Sequence, residues 1–245
     1  MRMAEQQAQR IEGRLGLRLH RTVLLILYPN HRAFVAAMGK EIPRLAVGVA
    51  TQTGNTIHAD TSGALMAAEQ ALGHEIVHAV LAQGLGAQVQ ALPLWFNEGL
   101  AQVAGERSVG QVGALLGRVA QRRRIIPLSA LRQGFPATDE DSGVAYLEAE
   151  SAALLLLDET GWEGLQELLA DVGRGAGFGA ALKKATGETL PQFERRWQQE
   201  VSHAYRYVGA ELLVDGLIFG VMAALAVWAY LVARRRRLET RDEEG

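Results

Sequence analysis

His74-Glu75-Ile76-Val77-His78 lies inside a helical pattern that runs from about Ala64 to Gln83, and Leu92-Pro93-Leu94-Trp95-Phe96-Asn97-Glu98-Gly99-Leu100-Ala101 follows it. Residues four apart on a helix share a face one turn apart, so His74 and His78 can bring two imidazoles to a single ion, a geometry that suits zinc. Glu75 stands beside the pair, where its carboxylate can take a proton from an attacking water. Two protein ligands do not complete a catalytic zinc site, which has three and an open position for water. Glu98 comes twenty positions after His78. A turn starting at Gly84 to Gly86 and a returning helix, with Pro93 in its first turn, can carry it back to the metal. The alternative is a helix that bears this pattern for structural reasons alone. It would have to bury two histidines and a glutamate with partners for every polar atom, which a metal supplies at once.

The pair of stretches, His74-Glu75-x-x-His78 followed by Trp95-Phe96-Asn97-Glu98-Gly99-Leu100-Ala101, resembles the gluzincin pattern, in which a second helix bearing Asn-Glu-Gly supplies the third ligand. In detail it is most similar to the small peptidase MA-like domains, closely over the two motifs and more loosely to about Trp197. The resemblance implies a zinc-dependent peptide-bond hydrolase with His74, His78 and Glu98 as ligands and Glu75 as the base. It also implies a substrate-binding edge strand ahead of the motif helix, in the place of Thr56-Ile57-His58-Ala59, where backbone pairing would hold an extended peptide. A purely structural strand is the other reading of that β-branched run. A downstream Tyr or His commonly stabilises the oxyanion in gluzincins, and Tyr146 begins a helix that resembles the one following the active site in the MA-like family; it reads equally as an ordinary half-buried helix residue. Gln102, one turn after Glu98, reads as an exposed polar position, with a hydrogen bond to the Glu98 carboxylate as the alternative. His20, His31, His58 and His203 have no ligand spacing between them and read as surface or structural.

Working outward, the fold expected is α+β: a small N-terminal sheet, the motif helix, and a mainly helical part. Glu5 to Leu15 predicts a helix ending near Gly16, Thr22 to Tyr28 a strand, and Arg32 to Met38 a helix ending at Gly39. Leu45 to Thr51 and Thr56 to Ala59 flank Gly54-Asn55 as a hairpin. Helical patterns then cover Val109 to Arg124, Val144 to Glu159, Trp162 to Val172, Gly177 to Ala185 and Leu190 to Tyr205, and Thr138 to Gly143 reads as a mobile loop. The domain limits expected are 1–206 for the catalytic domain, with its sheet-containing part to about 105 and its helical part over 106–206. A membrane span at 212–233 and a charged tail at 234–245 follow.

Gly216 to Ala233 is free of charge and long enough to cross a hydrocarbon core, with Tyr205, Tyr207, Trp228 and Tyr230 near its flanks; a buried core helix is the alternative. Arg234 to Arg237 follow directly, and the positive-inside rule puts them in the cytoplasm and the preceding domain outside. Met1 to Gln7 lacks the apolar stretch of a secretory signal, so an outward-facing domain implies a start upstream of Met1, and a tail-anchored protein with its domain in the cytoplasm is the alternative. Gly216 and Gly220 form a GxxxG that could pair two such helices into a homodimer. Lys plus Arg, 25, nearly balances Asp plus Glu, 27, so no global charge steers the chain to nucleic acid. Cysteine is absent, which excludes disulfides, thiolate catalysis and Cys-held metals. The partners expected are a peptide or protein substrate and a membrane. The function expected is a single-pass, membrane-anchored zinc peptidase, with a catalytically silent MA-like scaffold module as the alternative.

Overall fold

Gln7, Ile11 and Leu15 recur every fourth residue and are buried, the stripe that packs α1, Arg2–Leu15, onto the rest of the chain, with Gln7 Nε2 donating to Glu69 O. Gly16, at φ 65°, stops it. The structure is a computed structural model that describes residues 2–39, 48–62, 65–106 and 125–202. Strand β1 is Leu24–Tyr28. Helix α2, His31–Met38, is capped by Asn30, whose side chain accepts from Ala33 N, and is closed by Gly39. Strands β2, Gly48–Ala50, and β3, Thr56–Asp60, form the expected hairpin, with Ala50 opposite Ile57 and Gly54 N donating to Thr51 O across the turn.

The sheet runs β1-β3-β2, with β1 parallel and β2 antiparallel to β3. This corrects one expectation. Thr56-Ile57-His58-Ala59 is the central strand, paired along both edges, so its backbone has no open side for an added peptide. The edge that borders the motif helix is β2. Alternating burial in the sequence marks a strand's faces and says nothing of which strand lies at the margin, which is why the order was misread.

Helix α3, Leu65–Leu85, carries the His-Glu-x-x-His motif and is buried on most sides from Ala71 through Leu81. A 3₁₀ turn, Gly86–Ala91, reverses the chain into α4, Leu94–Ala104. Helix α5, Asp139–Gly173, is two helices run together, broken at Gly161, whose φ of 64° is no helical conformation. The two patterns expected on either side of Gly161 are therefore present. The stretch expected as a mobile loop, Thr138 to Gly143, instead starts α5, with Thr138 as the cap that accepts from Asp141 N. The run of Ser, Thr and Asp that reads as a loop is also the chemistry of a helix N-terminus. Helix α6, Phe178–Thr186, and a helix α7 over residues 190–202 complete the described chain.

The fold is thus α+β, a three-stranded sheet beside a mainly helical assembly. Met1–Val201 forms one compact unit and Ser202–Gly245 a second, of which Ser202 alone is described. The expected helix from Val109 to Arg124, the expected span over 212–233 with Gly216 and Gly220, and Arg234 to Arg237 lie outside the described residues. Among the described residues no helix is long and apolar enough to cross a membrane.

Candidate metal centre

The second motif places its carboxylate by anchoring α4 at both ends. Pro93 precedes the first turn, and the Leu94 and Trp95 amides, which no helical carbonyl can satisfy, donate to Arg132 O and Leu131 O. Trp95 and Phe96 are fully buried against Phe178 of α6, and Trp95 stacks on Phe193 of α7 with ring centroids 6.0 Å apart. Gly99 meets the α5 backbone so closely that a Cβ there would stand 2.2 Å from Ala149 O. One turn on, Gln102 Nε2 donates to Tyr146 O at 2.7 Å. Gln102 is 6% exposed, so both readings of it from sequence are corrected: its partner is a main-chain carbonyl of α5, and it clamps the two helices together.

This packing returns Glu98 to the motif helix. His74 Nε2 and His78 Nε2 lie 3.1 Å apart, and Glu98 Oε2 stands 3.3 Å from the first and 3.6 Å from the second. Ligand atoms bound tetrahedrally at about 2.0–2.1 Å stand about 3.3 Å from one another, so this triangle has the size a small divalent cation requires. Three electron-rich atoms facing one another at such distances also need positive charge among them. Burial alone would lower the His78 imidazolium, but the charge and hydrogen bond of Glu98, the charge of Glu75 and the bond to Asn97 outweigh it and raise it to about 9. Burial would likewise raise the Glu98 carboxyl, yet His78 and His74 hold it far below the usual carboxylate range. Both shifts report one field, the mutual attraction of the Glu98 carboxylate and the two imidazoles, which favours positive charge between them. Asn97 Oδ1 lies 3.2 Å from His78 Nδ1, and accepting its N–H orients the ring so that Nε2 is the atom facing His74 and Glu98.

Glu75, whose charge acts on His78, is 7% exposed and lies under the sheet margin. Ala50 N of β2 donates to Glu75 Oε2 at 2.7 Å. The strand is seated there by Gln83, two turns along α3, which donates to Gly54 O at 2.8 Å and accepts from the His20 and Arg21 amides.

The model of the Peptidase MA superfamily matches residues 3–203. The chain belongs to that superfamily. A search of curated proteins found no match. The MA match takes in α1, the sheet, both motif helices and the helical part, so the triangle of His74, His78 and Glu98 sits within one family domain.

Within this MA domain the structure brings together all four motif residues named from sequence. Tyr146 lies on α5, half-buried, with its ring edge-on to Phe135 at a centroid distance of 4.8 Å and its carbonyl on Gln102. His58 and His31 are structural, as expected: His58 Nδ1 bonds Tyr28 Oη at 2.8 Å and His31 Nδ1 pairs with Asp60 Oδ2 at 3.1 Å. Sequence reasoning missed Gly48 and Ala50, which act through backbone and leave no side-chain signal, and Asn97, whose place beside Glu98 was the available clue.

Proposed function

We propose that this chain is a membrane-anchored zinc metallopeptidase that hydrolyses peptide bonds in peptides or proteins. The observation that carries the reading is the convergence of His74, His78 and Glu98 at 3.1–3.6 Å with buried Glu75 alongside. Zinc held by those three residues supplies Lewis acidity toward water and the scissile carbonyl. Glu75 accepts the proton of the attacking water and passes it to the leaving amine. A binding module would have no chemical need for that base. Tyr146 is assigned the hydrogen bond to the developing oxyanion; its support is its place on α5, tied through Gln102 to the helix that bears Glu98.

Elemental analysis of the purified protein tests the metal, and turnover of a labelled protein substrate tests the chemistry. Near-stoichiometric zinc is expected in the parent and lost in His74→Ala and in Glu98→Ala. Glu75→Gln keeps the metal and abolishes hydrolysis, and Tyr146→Phe lowers kcat by about 10²–10³-fold. A folded, zinc-supplemented parent without metal sinks the enzyme. Stoichiometric zinc without hydrolysis leaves the scaffold module.

The tether rests on the uncharged run from Gly216 to Ala233, and the outward placement of the domain on Arg234 to Arg237. A homodimer through Gly216 and Gly220 belongs to the same proposal. The full chain is expected in the membrane fraction, resistant to carbonate extraction, with its domain digested by protease added to intact cells. Protection of the domain until the cells are lysed would instead place it in the cytoplasm.

A further inference from the structure

We propose that the outer margin of β2, through the Ala50 amide and the bare Cα of Gly48, is the positioning element for Glu75. The inference rests on the peptidase reading of the site. In an antiparallel ladder the backbone groups of successive residues alternate between facing the partner strand and facing away. Thr51 N turns inward to Thr56 O, so Ala50, one residue earlier, turns its amide outward, away from β3. That outward N–H donates to Glu75 Oε2 at 2.7 Å, a charge-assisted bond to a carboxylate that is 7% exposed. With Oε2 engaged, Oε1 is the atom left to take the water's proton.

Gly48 shares the outward register of Ala50 and presses on the same side chain. A Cβ at Gly48 would lie 2.7 Å from Glu75 Cγ, 3.0 Å from Oε1 and 3.1 Å from Cδ. Any side chain at position 48 must therefore displace the carboxylate, so the strand selects Glu75's conformation by shape as well as by hydrogen bond. The strand cannot simply drift off in response, because Gln83 of the motif helix grips the Gly54 carbonyl in the turn that follows β2. Helix and strand thus hold each other at two points, and the base lies at one of them.

The test uses the zinc-loaded full chain with fluorescein-labelled casein as probe. Gly48→Ala is expected to lower kcat by about 10²-fold, the scale of a misplaced reacting group, with KM and zinc content unchanged. Glu75→Asp withdraws the carboxylate by one methylene and so already gives up the placement that the strand enforces, although its Cγ still meets the added Cβ. The double variant is expected to be at least about tenfold more active than the two single losses multiplied together. Ala50→Pro deletes the donor at a position where no ladder bond uses it, and it is expected to lower kcat about tenfold at constant zinc content. Independently of turnover, the Ala50 amide proton is expected to be protected from exchange and to move upfield in Glu75→Gln. Multiplicative kinetic losses, or an Ala50 amide that exchanges freely and ignores Glu75→Gln, overturn the inference while the parent's hydrolysis keeps the peptidase reading standing. A parent that holds zinc and cleaves nothing removes that reading, and this inference with it.

Discussion

Glu148 is fully buried on α5, and both its carboxylate oxygens receive the Ile126 amide, at 3.0 and 3.2 Å. Burial pushes its carboxyl up to about 7, against the pull of that donor, from 4.5 in an open chain. Between those values the folded chain keeps a proton that the unfolded chain has released. Stability therefore falls as pH rises from about 4.5 and levels off above about 7, by roughly 1–3 kcal/mol. Glu148→Gln retains an acceptor for Ile126 N and has no charge to bury, so its melting temperature at pH 8 should exceed the parent's and the two should converge near pH 4.5. Equal differences at both pH values would show that Glu148 is ionised throughout. Nothing in the sequence marks Glu148 as buried, because Glu148 and Glu150 sit among residues that suit an exposed helix as well. His74, Glu75, His78 and Glu98 were legible because their chemistry is in the side chain and their spacing is a helix period. Gln102 was misread for the converse reason: an amide one turn from a ligand fits several partners, and the packing of α5 chose among them.

At the scale of elements, the crossing of α4 and α5 decides whether Glu98 reaches the histidines. The crossing is close because Gly99 has no side chain: a Cβ would stand 2.2 Å from Ala149 O and 3.0 Å from Ala153 Cβ. Gly99→Ala must push α4 from α5, carrying the neighbouring Glu98 with it. Destabilisation of about 1–3 kcal/mol by denaturant unfolding is expected, together with weaker zinc binding by competition with a chromophoric chelator. A variant destabilised without loss of zinc affinity would show that Glu98 is placed independently of this crossing. Helices were the most readable elements. Gly16, Gly39 and Gly161 stop them, and each has a positive φ in the structure. The sheet was half readable. The hairpin at Gly54-Asn55 follows from local turn chemistry, whereas the parallel pairing of β1 with β3 joins segments some thirty residues apart and has no local signature.

For the molecule as a whole, the site is where two structural parts are fastened together. α3 carries the sheet, through Glu75 on Ala50 and Gln83 on the turn at Gly54. α4 is buried in the helical part, through Trp95 and Phe96 against α6 and α7 and through Gln102 on α5. His74 and His78 belong to the first part and Glu98 to the second, so an ion held by all three cross-links them without any covalent bond. Ligand binding to the folded state alone adds RT ln(1 + [L]/Kd), about 2.7 kcal/mol at a hundredfold excess over Kd. In a chain of this size, each kcal/mol moves the melting temperature by about 2–4 °C. Chelation of the zinc-loaded protein should therefore lower its melting temperature by about 5–10 °C in calorimetry, and added zinc should restore it. Glu98→Ala, which keeps the α3 ligands but loses the link to α4, should melt near the chelated parent's temperature and respond little to chelator. A full zinc-dependent shift in Glu98→Ala would mean that the ion is held within α3 and does not bridge the two parts.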